Sequence, residues 1–211
     1  MARSDLLSSL QSGAETFGLS LSVETSVRML DYIDLVSKWN RVYNLTAVRG
    51  RRNMLTRHLL DSLTVLPHLC GVRILDIGTG AGLPGIPLAL AAPQLQLVLL
   101  DSNAKRIRFL RQCVADLGLD NVTPVQSRVE EYRSQEKFDT LVSRAYTTLG
   151  AMIESSGQLL SDDGCIIAMK GRWPGDETTT IPEGFHIDRV IDTRVPELNE
   201  QRHLVLCRRD N

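Results

Sequence analysis

Residues 72–92 leave the chain few ways to fold. A short apolar stretch from Val72 to Ile77 runs into a turn with glycine at 78, 80, 82 and 85, and a Leu- and Ala-rich helix follows from about Pro84 to Ala92. Glycines at this spacing permit positive φ and let the backbone approach a ligand closely, because no Cβ intrudes. Pro84 suits the first turn of a helix, where its missing N–H would lack an intrahelical partner anyway. Strand, glycine turn and helix N-terminus together make a nucleotide-type binding site.

The acid before the turn decides which nucleotide. Counted from Gly78, the dinucleotide pattern G-x-G-x-x-G fails at Leu83; counted from Gly80 it matches, but with Pro84 inside the turn. The acidic-x-G-x-G-x-G pattern of S-adenosylmethionine (SAM) sites fits at every position from Asp76 through Gly78, Gly80 and Gly82. A carboxylate at the strand end would repel a pyrophosphate but attract the ammonium of methionine. About twenty residues on, Gln96–Asp101 reads as a second buried strand ending in an acid, placed to accept from ribose hydroxyls. Asp101 is also compatible with capping the helix that starts near Asn103.

Strand and helix patterns alternate through the rest of the chain. Strands are expected at Val122–Gln126, Phe138–Ser143, Cys165–Met169, Phe185–Val190 and His203–Cys207, with helices from Lys105 to Gly118 and Thr148 to Leu160. That alternation implies an α/β fold: a doubly wound, mostly parallel Rossmann-like sheet of the SAM-dependent methyltransferase type, with an antiparallel edge. Gly78–Gly82, Asp101, Val129, Glu130, Arg144 and Lys170 then converge at the carboxyl ends of the strands. Residues 1–70 read as an N-terminal helical extension packed on a core of residues 71–211, with helices over 5–17, 23–43 and 54–68. In the last, His58 and Asp61 share one face, and a helix-to-helix hydrogen bond or cap explains them better than catalysis.

With 211 residues, 43% hydrophobic and 23% charged, the chain can build one substantial core. No apolar run suggests a signal peptide or membrane span, and Cys70, Cys113, Cys165 and Cys207 stand too far apart for a metal or disulfide pattern. A cytoplasmic, metal-free protein with reduced thiols is expected. The net charge is only -1, but its distribution is uneven. From Leu35 to Leu60 there are six cations (Lys38, Arg41, Arg49, Arg51, Arg52, Arg57) and no acid, whereas acids outnumber bases from Ser161 to Glu200. The basic stretch fits an anionic partner or, equally, a solvated face. Trp39 and Tyr43 within it suit a core more than base stacking.

The chain resembles the RsmG (GidB) family of bacterial small-subunit rRNA guanine-N7 methyltransferases. The resemblance rests on Trp39-Asn, Tyr43-Asn-Leu-Thr46, His58-Leu-Leu-Asp-Ser62 and the run from Asp76 to Pro87. Leu100-Asp-Ser with Lys105-Arg, Ser143-Arg-Ala-Tyr146, Ala168-Met-Lys-Gly171 and Arg202-His-Leu-Val205 complete it. Tyr146 stands where the family usually has Phe. The resemblance implies a methyl transfer from SAM to N7 of a guanosine in a loop of 16S rRNA, in the small subunit or an assembly intermediate, by an enzyme acting as a monomer. It implies SAM contacts at Gly78, Leu83, Val129, Glu130 and Arg144, with Asp76 at the methionine end and Asp101 at the ribose. Arg144 and Lys170 are the candidates for orienting the base, although a structural salt bridge also suits Lys170. Arg49, Arg51, Arg52, Arg57, His58 and Arg202 are the candidate RNA contacts.

Overall fold

Seven strands form one sheet in a computed structural model that describes residues 2–144, 148–171, 175 and 181–210. They are β1 (Arg73–Ile77), β2 (Gln96–Asp101), β3 (Val122–Gln126), β4 (Phe138–Ser143), β5 (Leu160–Lys170), β6 (Phe185–Thr193) and β7 (Arg202–Arg209). The order across the sheet is β3-β2-β1-β4-β5-β7-β6. The first five run parallel, while β7 pairs antiparallel with both β5 and β6. The chain builds outward from β1 to β3, then returns to place β4 on the other side of β1. That reversal opens the crevice at the carboxyl ends of β1 and β4 where ligands of such sheets sit.

The helices are α1 (Arg3–Glu15), α2 (Val23–Tyr43), α3 (Arg51–Met54), α4 (Asp61–Leu63), α5 (Gly85–Ala91), α6 (Ala104–Leu117) and α7 (Leu149–Ser156). Local chemistry sets their ends. Ser22 accepts from Thr25 N–H at 3.0 Å to start α2, and Asn44 closes it in the left-handed region at φ 50°. Asn103, rather than Asp101, caps α6, accepting from Lys105 N–H at 2.9 Å, and Gly118 ends that helix at φ 59°. Between α3 and α4 the backbone is π-helical over Leu55–Leu60, so the helix expected from 54 is wound unevenly, and the chain is already helical from Arg51. The helix expected to reach Leu160 ends at Ser156, a 3₁₀ turn follows, and β5 begins at Leu160, earlier than its apolar run suggested.

Strand alternation sends side chains to two cores. Ile74 of β1 joins a cluster with α1, α2, α5, α6 and residues 54–65, including Leu10, Ile33, Leu59 and Phe109. Leu75 and Ile77 face the opposite cluster with Phe138, Leu141, Met152 and Ile153. The N-terminal helices therefore share a continuous core with one face of the sheet. Burying each such Leu, Ile or Phe is worth roughly 1.5–3 kcal/mol. Trp39 belongs to this packing, its ring 5.2 Å from Tyr43 and 5.7 Å from Phe109. Among the described residues no helix is long and apolar enough to cross a membrane.

Candidate active site

The alternation that buries Ile74 also turns Asp76 toward α5. Its Oδ2 accepts from Thr79 Oγ1 at 2.6 Å and from Gly85 N–H at 2.9 Å, so one carboxylate ties β1 to the first turn of the following helix. A Cβ on Gly85 would lie 2.2 Å from Leu99 and 2.8 Å from Asp76 Oδ2, which explains glycine there. Gly78, Gly80 and Gly82 hold φ of 66°, 62° and 94°. Asp76 is fully buried, and burial pushes its carboxyl up to about 6 against the pull of Thr79 and Gly85. Its other oxygen, Oδ1, is buried without a hydrogen-bond partner among the described residues. Leu83 is buried under the turn.

The turn is braced from two sides. The buried Tyr32 hydroxyl of α2 donates to Ala81 C=O at 2.8 Å. Asp101, at the tip of β2, accepts from Gly80 N–H at 3.0 Å and from Arg106 Nη1 at 3.1 Å through Oδ2, and from Asn103 N–H at 2.8 Å through Oδ1. Beside it opens a cleft of about 230 Å³ lined by Ile77, Gly78, Asp101, Ser102, Arg106 and Ser127–Glu130. Gly78, Asp101, Val129 and Glu130 therefore meet as expected. Ser102 and Arg106, which belong to the family motif, and Arg128 also line the cleft, although the sequence did not mark them as site residues.

A second cleft, of about 270 Å³, is lined by Thr46–Val48, Arg57, His58, Asp61, Arg144, Met169–Gly171 and Arg202. Asp61 is its hub. One oxygen lies 3.5 Å from Arg144 Nη1 and the other 3.2 Å from Arg202 Nε. Arg144 also donates to Arg57 C=O at 3.0 Å. Burial pushes the Asp61 carboxyl above its usual range while the two guanidiniums oppose the shift. His58 and Asp61 do not bond each other, and each reaches another part of the chain. His58 Nε2 lies 3.1 Å from Thr46 Oγ1 across the cleft. Burial, reinforced by Arg144, lowers the imidazole to about 4, so it is neutral at physiological pH. The π-helical segment places Arg57 and His58 at this wall.

The basic stretch meets acids from distant parts of the chain. Arg51 holds Asp34 at 2.6 Å, Arg52 holds Glu197, and Arg57 and Arg202 both hold Glu200. Arg49 donates to the Thr46 and Val48 carbonyls. Lys170 lines the second cleft at the end of β5. Ala145, Tyr146 and Arg172, which flank expected site residues, lie outside the described residues. No cluster of potential metal ligands occurs among the described residues.

Residues 26–205 match the family described as GidB, rRNA small subunit methyltransferase G. Ribosomal RNA small subunit methyltransferase G of Salmonella schwarzengrund is 48% identical over 191 residues, covering 90% of this chain and 92% of that protein. Its counterpart from Salmonella typhi is 47% identical over the same span. Among solved structures, TrmN from Thermus thermophilus aligns with a TM-score of 0.58 at 17% identity, covering 81% of this chain and 53% of that one. The glycopeptide N-methyltransferase MtfA, solved with SAM, aligns at 0.57 and 13% identity, covering 73% and 88%. These two likenesses establish the Rossmann-like methyltransferase fold, and the sequence match establishes the lineage: the chain belongs to the rRNA small subunit methyltransferase G (GidB) family of SAM-dependent rRNA methyltransferases.

Proposed function

We propose that this enzyme transfers the methyl group of SAM to N7 of a guanosine in a loop of 16S rRNA. The observation that carries the choice of N7 is the make-up of the second cleft. Four cations line it (Arg57, Arg144, Lys170 and Arg202), while its carboxylate, Asp61, is engaged by two arginines and its histidine is neutral and engaged by Thr46. Such a wall suits an acceptor that arrives with its own lone pair and sheds no proton, as guanine N7 does. An exocyclic amine or a ribose hydroxyl would call for a base.

The first cleft fits SAM. The orphaned Asp76 Oδ1 leaves an acceptor for an ammonium beside the glycine turn, and Gly80 leaves open space where a Cβ would stand. Asp101 and the Val129–Glu130 segment would hold the ribose and adenine ends, with Gly78 and Gly82 admitting the ligand close to the backbone. When bound, SAM supplies an electrophilic methyl group on a sulfonium. Arg144, held by Asp61 and the Arg57 carbonyl, would orient guanine O6, and Lys170 would hold the base or a neighbouring phosphate. Alignment to about 3–3.5 Å does most of the work, since charge is moved rather than created. N7 of duplex RNA lies in a deep, narrow groove, so the target is an unpaired base drawn into the pocket. On this reading Arg49, Arg51, Arg52, Arg57, His58 and Arg202 contribute to RNA contact, and a monomer acts in the cytoplasm on the small subunit or an assembly intermediate.

Incubation of undermodified small subunits with tritiated SAM, followed by mapping, tests the reading. The label should reside in 7-methylguanosine within a loop, and single-turnover rates at saturating SAM and RNA should be nearly flat from about pH 6 to 8.5. Label on an exocyclic amine or ribose, or a steep rise through the histidine range, would reject N7 transfer without a protein base.

A further inference from the structure

The exposed side of α6 carries cations that the site described above does not use. A groove of about 580 Å³ is lined by Ala104, Lys105, Ile107, Arg108, Arg111, Gln112 and Gln126. Three of these residues are cationic and none is acidic. Lys105, Arg108 and Arg111 are exposed, and their side chains make no ion pair or hydrogen bond among the described residues. They contrast with Arg51, Arg52 and Arg57, each of which holds a carboxylate. The nearest acid along this helix, Asp116, is engaged by Gln112 Nε2 at 2.6 Å.

Position makes these free charges useful. The opposite face of α6 is anchored by Ile107, Phe109, Leu110 and Cys113 in the core, so the cations stand on a rigid element. Their spacing of three residues sets them about 4.5 Å apart along the axis, each rotated from the last, as a slanting row. The groove also adjoins the SAM cleft: Lys105 and Gln126 line the groove, while their chain neighbours Arg106 and Ser127 line the cleft. It lies beside β3, which forms the edge of the sheet among the described residues.

We infer that this groove takes the phosphate backbone of the substrate rRNA, with Lys105, Arg108 and Arg111 contacting successive phosphates flanking the target nucleotide. Counterion release makes unpaired cations the stronger contributors. An arginine already holding a carboxylate must exchange one anion for another, whereas these three neutralise phosphates outright. The contacts carry no sequence information and set the position of the strand.

The inference rests on the rRNA reading, and its test separates the two. Binding of wild type and of K105Q/R108Q/R111Q to protein-free 16S rRNA and to undermodified subunits is measured across salt concentrations. SAM binding is followed by calorimetry, folding by circular dichroism, and methyl transfer in parallel. The triple variant should bind both substrates about tenfold more weakly at low salt, with a salt slope lower by about 2, and should bind SAM as wild type does. R111E alone, a surface change, serves if the triple variant does not fold and should weaken binding in the same direction. Wild-type affinity and slope in the folded variant would overturn the groove while leaving the rRNA reading intact. Loss on subunits without loss on protein-free RNA would assign the groove to a protein partner and equally overturn it. If wild type transfers no label to rRNA at all, the rRNA reading itself fails.

Discussion

Arg144 Nη1 lies 3.5 Å from Asp61 Oδ2, and that contact joins the end of β4 to the start of α4. The same carboxylate holds Arg202 of β7 through its other oxygen, so one buried acid sets two guanidiniums at the mouth of the second cleft. Arg144→Ala should abolish methylation while leaving SAM affinity near wild type, because the cleft proposed for SAM is lined by other residues. Asp61→Asn keeps the volume but removes the charge that positions both arginines. We expect turnover to fall on the order of 100-fold and stability by about 2 kcal/mol. Unaltered single-turnover rates in both variants would remove this pair from the mechanism.

The glycines of the turn should fail for different reasons. Gly85→Ala puts a Cβ 2.2 Å from Leu99, in the core, so it should lower the melting temperature with or without ligand. At Gly80 a Cβ would meet nothing nearer than Gly78 O at 3.9 Å, but φ is +62°. Gly80→Val should therefore cost about 1–2 kcal/mol of backbone strain and abolish the stabilisation that SAM confers on wild type. A SAM-induced rise in melting temperature that survives Gly80→Val would contradict the placement of SAM against the turn.

Two buried groups pull acid stability in opposite directions. His58 is lowered from 6.5 to about 4, so the unfolded chain binds more protons between those values and stability is lost as pH falls through that window. The full effect is on the order of 3 kcal/mol. Asp76 is raised from 3.8 to about 6, so its contribution is present at low pH and lost as pH rises from about 4 through 6. In His58→Gln only the second remains. On acidification from pH 6.5 to 4, the variant should lose less stability in urea titrations than wild type does. Parallel curves would show that His58 is not held neutral.

The arginines at 49, 51, 52 and 57 should contribute to RNA binding despite their partners, because their ion pairs are exposed and such pairs are worth little, about 0–1 kcal/mol each. The quadruple alanine variant should bind rRNA more weakly with a reduced salt slope, and SAM normally. Wild-type affinity and salt dependence in a folded variant would reduce the stretch to a structural brace.

Much of this enzyme is local and so was legible in the residues themselves. Positive φ belongs to glycines 78, 80 and 82, β alternation turns Asp76 to one face and Leu75 to the other, and an acid ends β2 because the apolar run stops at Asp101. These depend on neighbours within a few positions, which a sequence records. What tertiary structure decided are pairings between distant residues. His58 and Asp61 lie three apart, a spacing that puts both on one helix face. The π-helical winding instead sends one to Thr46 and the other to Arg144 and Arg202, 83 and 141 positions away. The acid-free run from Leu35 to Leu60 reads as a one-sided patch, yet the fold brings Glu197 and Glu200 back against its arginines, while Lys105, Arg108 and Arg111 of α6 have no side-chain partner among the described residues. Charge along a chain is set by composition, but whether a charge is free depends on which surfaces the packing of the core brings together.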